Sequence, residues 1–159
     1  MKYKVIDNFL SKNDFSNIKE LIEKKLPWYF NNFVTLKSEK KDFYFTHLFY
    51  NNNTVNSDFM EIVRPIINLI NIKALIRIKA NLYPKTHTIY EHDSHFDYDF
   101  KHSGLLYYIN TNNGFTKLSN GTKIESIENR ALFFDPSLFH NSSTCTDEKC
   151  RININFNYF

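Results

Sequence analysis

The nine residues RININFNYF, 151–159, restrict the fold more than any other stretch of the chain. Side chains alternate across a β-strand, so Arg151, Asn153, Asn155 and Asn157 share one face, while Ile152, Ile154, Phe156 and Tyr158 share the other. The apolar face belongs against a core. An Arg and three Asn are costly to bury behind it unless their face lines a pocket. There a guanidinium can hold an anionic cosubstrate through two parallel hydrogen bonds.

The remaining chain supplies partners for such a strand. From Lys73 onward nearly every segment is strand-like: ALIRIKANLY, TIYEH, GLLYYIN, FTKL, TKIESI, ALFFD and NSSTC precede the last strand, with turns every ~8 to 12 residues. Upstream, Val5 to Leu10 reads as a short strand. Ser11 with Asp14 forms a capping box that opens a helix whose apolar face is Phe15, Ile18, Ile22 and Leu26; it should end near Lys25, before Pro27. Residues 28–50 are aromatic and strand-like, and Phe59, Ile62, Val63, Ile66, Ile67 and Ile70 mark a second helix, kinked at Pro65. The expected fold class is mainly β with N-terminal helices: a jelly roll buttressed by two helices, in one domain spanning 1–159. Residues 1–72 would give helical support and aromatic strands, and 73–159 the jelly-roll core.

Composition narrows the function classes. Aromatics at 17% with three Gly and four Pro fit a compact β-rich globule and exclude a fibrous or disordered chain. A net charge of +3 without a basic cluster on any one element gives no reason to expect nucleic acid, and KSEKK at 37–41 reads as a solvated loop. No apolar run approaches the ~20 residues of a membrane span, and MKYKVIDNFL lacks a signal-peptide core, so a soluble, cytoplasmic protein is expected. Cys145 and Cys150, in TCTDEKC, read as reduced loop cysteines.

The chemistry concentrates in EHDSHFD, 91–97, which holds the one His-x-Asp of the sequence, His95 and Asp97. Six His and seventeen acidic residues give roughly 0.6 such pairs by chance, so the pair needs company. Residues i and i+2 of an extended or bulged segment project to the same side, where an imidazole and a carboxylate can meet one cation. His140 is the candidate third ligand. Two His and one carboxylate form the facial triad of non-haem Fe(II) sites, which leaves positions open for chemistry. Each imidazole must be neutral to bind, so metal affinity should fall below about pH 6.5.

From Ile76 to Phe159 several further features occur in a fixed order. They are Tyr83-Pro84, His95-x-Asp97, LLYYIN, Gly114-x-Thr116, NRALFFD, His140 and Arg151. In this order and approximate spacing the chain resembles the prolyl 4-hydroxylase type of 2-oxoglutarate and Fe(II)-dependent dioxygenase. The resemblance implies a double-stranded β-helix, iron held by His95, Asp97 and His140, and Arg151 paired with the far carboxylate of 2-oxoglutarate. It further implies that Tyr83 and Tyr108 hydrogen-bond the cosubstrate, with Asn81 and Asn155 as additional pocket residues. Tyr107 and Tyr108 cannot both face inward. The cofactors would be Fe(II), 2-oxoglutarate and O2, with ascorbate as an accessory. The reaction would hydroxylate a C–H bond of an unidentified small molecule or protein side chain, releasing succinate and CO2.

Departures from the pattern touch the pocket's shape. The Tyr83–His95 loop is longer than usual, so His92 competes with His95, but Ser94 two residues later offers no carboxylate. Asn113-Gly114 stands where paired glycines are familiar, and Asn157 where an indole is common. His47, His87 and His102 read as exposed or loop imidazoles. The 28–50 region and the loop Asp99 to Ser103 are expected to border the mouth. Two other readings use the same fold: a cupin-like Zn or Ni binding jelly roll, for which Arg151 has no purpose, and a nucleic-acid dealkylase, which the missing basic surface argues against.

Overall fold

The computed structural model describes residues 2–34 and 42–159, so the expected loop at 37–41 lies outside the described residues. Eleven strands and two α-helices follow the order β1 (Lys4–Ile6), α1 (Lys12–Lys24), β2 (Tyr29–Asn31), β3 (Tyr44–Asn51), β4 (Thr54–Val55), a 3-10 turn (Met60–Val63), α2 (Arg64–Ile67), β5 (Leu75–Pro84), β6 (Ser103–Tyr108), β7 (Asn112–Leu118), β8 (Lys123–Ser126), β9 (Arg130–Phe134), β10 (His140–Ser142) and β11 (Cys150–Tyr158). The large sheet runs β1-β9-β6-β11-β5-β3-β2 with β4 paired to β3, the small one β10-β7-β8, and all pairs are antiparallel. This is a jelly roll with helical support.

β11 lies between β5 and β6, and its register is what builds the interior. Arg151 stands opposite Tyr83, Asn153 opposite Asn81 and Tyr108, Asn155 opposite Lys79 and Leu106, and Asn157 opposite Arg77 and Gly104. Its other face, Ile152, Ile154, Phe156 and Tyr158, packs into the main core with Phe15, Ile18 and Ile22 of α1. A second cluster, Leu106, Tyr108, Leu118, Ile124, Leu132 and Phe134, lies between the two sheets. Among the described residues no helix is long and apolar enough to cross a membrane.

α1 begins as its sequence dictates, with the Ser11 hydroxyl accepting from the Asp14 amide. The second helix differs from expectation. Pro65 falls in the first turn of α2, where no amide hydrogen is needed, so the apolar run splits into a 3-10 turn and a short α-turn instead of kinking. TIYEH is not a strand: its pairing with the small sheet is limited to isolated bridges, Glu91 to Ser143 and His95 to His140, to which Glu91 adds side-chain bonds with Lys117 and Asn141. With three Gly available, left-handed turn positions fall to Asn8, Asn52, Asn53 and Asn129. Asn129 also ties the chain entering α1 to the sheet, because its amide bonds both the N–H and the carbonyl of Leu10.

Ile154 is fully buried where the sheet meets the helices. Ile154→Ala should cost about 2–5 kcal/mol of stability, and Ser11→Ala, which removes only a cap, about 1 kcal/mol. Urea unfolding of both variants measures this, and equal effects would misplace the core.

Candidate metal centre

His95 and His140 face each other across one antiparallel bridge. The His95 amide donates to the His140 carbonyl at 2.9 Å and the His140 amide returns the bond at 2.8 Å, so their rings sit side by side, centroids 4.7 Å apart. Asp97, two residues on, is anchored by its amide to the Pro136 carbonyl. The three side chains each bring a ligand atom within 4.8 Å of the others. His140 Nδ1 lies 2.9 Å from the Leu138 carbonyl, which leaves Nε2 as its ligand nitrogen.

Asp97 is held from behind. Arg77 donates to Oδ1 at 3.0 Å and Asn155 Nδ2 donates to Oδ2 at 2.9 Å. Asn155 Oδ1 then accepts from Asn157, whose Oδ1 lies 2.7 Å from His102 Nε2. Asn155 and Asn157 therefore form a relay of hydrogen bonds and Asn153 accepts from Asn81, which makes a polar strand face tolerable in the interior.

Arg151 occupies the other end of that face, with no measurable exposure. Its guanidinium lies between the rings of Tyr83 and Tyr108, 5.5 and 5.6 Å from their centroids, and donates to Thr116 Oγ1 at 2.8 Å and to the Ser143 carbonyl at 3.4 Å. Its Nε has no partner, and among the described residues no carboxylate pairs with it. Gly114 makes room for it, because a Cβ there would sit 2.7 Å from Arg151 Cδ and from the Thr144 carbonyl oxygen. A buried, unpaired guanidinium is costly without an anion to hold.

Burial presses His95 down to about 4, the neighbouring His140 acting in the same direction and Asp97 against it. Burial would raise Asp97, but Arg77, His140 and the Asn155 hydrogen bond outweigh it and hold the carboxyl at about 2. A neutral imidazole beside a carboxylate is the state a divalent cation requires. The onset of proton competition expected near 6.5 therefore moves down for His95. Tyr83 and Tyr108 are raised by burial, although Arg151 pulls both the other way, so they keep their hydroxyl protons as donors.

A recess of about 460 Å³, solvent at its mouth included, joins the three candidate ligands to Tyr83, Asn81 and Asn155. Tyr108 lies on this side of β6, with its hydroxyl on Thr116, whereas Tyr107 faces the helices and bonds Asn129. His92 stays outside the cluster, paired with Ser142 and packed on Tyr83. Two expectations need correction. His47 is a buried residue of β3, with both ring nitrogens within bonding distance of an acceptor or hydroxyl; His102 lies in the loop before β6 as expected, though buried, and His87 is exposed. Val34 and Tyr44 border the recess as the 28–50 region should, but Lys101 to Ser103 line a separate hollow beside β1. Sequence reasoning missed Arg77, Lys79, Tyr44 and Thr116. The alternation of RIKANLY, which puts residues 77, 79, 81 and 83 on one face, was the available signal for the first two.

No family model matches the sequence, and neither does any curated protein. Solved structures do. A viral collagen prolyl hydroxylase from Paramecium bursaria Chlorella virus-1, in complex with 2-oxoglutarate, aligns over 99% of this chain and 95% of its own with a TM-score of 0.56 and 18% identity. A 2-oxoglutarate–Fe(II) oxygenase family oxidoreductase from Burkholderia pseudomallei covers 98% and 84%, with a TM-score of 0.71 and 10% identity. A Trichoplax adhaerens prolyl hydroxylase bound to a hypoxia inducible factor peptide covers 99% and 83%, with a TM-score of 0.64 and 17% identity. The chain has the fold of the 2-oxoglutarate–Fe(II) oxygenases and prolyl hydroxylases.

Two measurements test the electrostatics of the site. Burial presses His92, like His95, to about 4. In the metal-free protein the unfolded chain takes up protons at these residues near pH 6.5 while the folded chain does not. Stability should therefore fall as pH drops from about 6.5 to about 4, and His92→Gln should make the fall shallower. A flat urea midpoint across that range contradicts two uncharged imidazoles. Arg77→Met removes a donor from Asp97 and should weaken Mn(II) binding roughly 10- to 100-fold, as read by anaerobic titration.

Proposed function

We propose that the protein is a 2-oxoglutarate- and Fe(II)-dependent oxygenase that hydroxylates a C–H bond of its substrate. The observation that carries this reading is Arg151: fully buried, without a counter-ion among the described residues, and on the same strand face as the residue that bonds Asp97. A barrel that merely binds Zn or Ni needs the three ligands and has no use for this guanidinium.

His95, Asp97 and His140 fit a divalent iron in number and type, and His95 and Asp97 also in protonation state. Bound there, Fe(II) with O2 would convert 2-oxoglutarate to succinate and CO2 while one oxygen atom enters the substrate C–H bond. The chain's own residues bind and orient. Arg151 takes the distal carboxylate, with its position fixed by Thr116 and by the two tyrosine rings. Tyr83 and Tyr108 supply protonated hydroxyls beside it, and Asn155 with Arg77 keeps both oxygens of Asp97 in place. Leu106 and Phe134 form the apolar part of the wall and exclude water.

Titrating 2-oxoglutarate into the Mn(II) form without O2 tests the reading. Removing one partner of a buried ion pair costs about 2–5 kcal/mol, so Arg151→Ala should bind roughly 30- to several-thousand-fold more weakly with metal affinity nearly unchanged. Arg151→Lys should fall between, because it keeps the charge and loses the fork. His95→Ala and His140→Ala should lose the metal and all succinate release. Equal 2-oxoglutarate affinity in wild type and Arg151→Ala would remove the case for an oxygenase.

A further inference from the structure

Lys79 is a second cation in the recess, and the chemistry above leaves it without a role. It lies on β5 opposite Asn155, four residues along the strand from Tyr83, which stands opposite Arg151. At about 3.3 Å per residue the strand positions of Lys79 and Tyr83 are roughly 13 Å apart. A diacid held by Arg151 would therefore lie toward the Tyr83 end of the recess, away from Lys79. Its Nζ donates to the Tyr44 hydroxyl at 3.3 Å, and among the described residues no carboxylate pairs with it. Asp97 is near enough to influence it, but both Asp97 oxygens are already taken by Arg77 and Asn155.

Tyr44 adds a second donor. Its hydroxyl accepts from Lys79, and its own proton has no acceptor among the described residues. The ring is buried and stacked on Tyr83, with centroids 5.6 Å apart, so the hydroxyl is fixed in direction. Burial raises the phenol strongly, and it stays protonated. Burial also presses Lys79 to about 8, with Arg77 adding to the effect and Asp97 opposing it, which leaves the ammonium mostly charged at neutral pH. An ammonium and a phenol proton converging without an acceptor beside the metal ligands match the two oxygens of a carboxylate. An apolar side chain at position 79 would fill the wall without the cost of a buried charge.

Resting on the oxygenase reading, we propose that Lys79 and Tyr44 determine substrate specificity by binding a carboxylate, so that the substrate is a carboxylic acid oxidised at a carbon close to that group. The carboxylate can belong to a free amino acid or to an acidic side chain of a peptide, and the test separates the two.

Calorimetric titrations into protein loaded with Mn(II) and N-oxalylglycine would use two probe sets: free L-amino acids with their amides, and blocked dipeptides containing Asp or Glu with their Asn or Gln counterparts. At least one acid should bind, and its amide counterpart should bind roughly 10- to 100-fold more weakly. Lys79→Met should erase that difference, Tyr44→Phe should reduce it, and N-oxalylglycine affinity should stay within about twofold of wild type in both. Binding confined to the first set identifies a free acid, and binding confined to the second an acidic peptide; either supports the assignment. Acids and amides binding alike, no acid of either set binding, or Lys79→Met weakening N-oxalylglycine as Arg151→Ala should, would each overturn it. Wild-type protein that fails to bind N-oxalylglycine at all would overturn the oxygenase reading and this inference together.

Discussion

β11 is bonded along both edges, to β5 and to β6, so neither its register nor the direction of its side chains is free. That constraint joins stability to chemistry. The isoleucines and Phe156 that hold the helices to the sheet are interleaved with Arg151 and the asparagines of the opposite face, two of which line the recess, and a one-residue slip would send every one of them to the wrong side. The polar face is held by hydrogen bonds along its length. Asn153 accepts from Asn81, Asn155 donates to Asp97, and Asn157 links Asn155 to His102. Arg151 on this strand, like Arg77 on β5, keeps an unmet Nε donor.

The same economy of charge runs through the candidate metal centre. Arg77 balances Asp97 from behind the ligand face, so the carboxylate stays ionised in a buried setting without another anion nearby. His95 and His92 are pressed the other way, by burial first and by neighbouring positive groups second. The protonation states of Asp97 and His95 thus already suit a cation, which would lower the reorganisation that binding one requires.

Much of this was legible in the sequence where a simple period governed. Alternation in RININFNYF identified both faces of β11, the i, i+2 spacing joined His95 to Asp97, and Ser11 with Asp14 marked the start of α1. What escaped depended on long-range register or on which local rule prevailed. Tyr107 and Tyr108 are chemically alike, and only the pairing of β6 with β11 sends Tyr108 to Thr116 and Tyr107 to the helices. Pro65 could kink a helix or begin one, and its position relative to Val63 decided for the latter. His47 and His102 did not read as buried because their partners, Pro27, Ser57 and Asn157, lie 10 to 55 positions away. Arg77 and Lys79 were visible as charges, yet their roles rest on Asp97 and Tyr44, 20 and 35 residues distant.

The centrality of β11 also has a temporal side. A ribosome makes β5 and β6 well before the strand that must lie between them, and until β11 emerges those two present unpaired edges to each other and to the cell. Docking it pairs residues about 45 to 83 positions apart in one step, the kind of non-local pairing that makes folding slow. Arg151 and Asn155 arrive with that same strand. On the proposed function, the chain would therefore acquire its anion-binding Arg151 and the brace on Asp97 at the moment its sheet closes, and a partly folded chain would have little means of holding iron and 2-oxoglutarate together where an incomplete site could do oxidative damage.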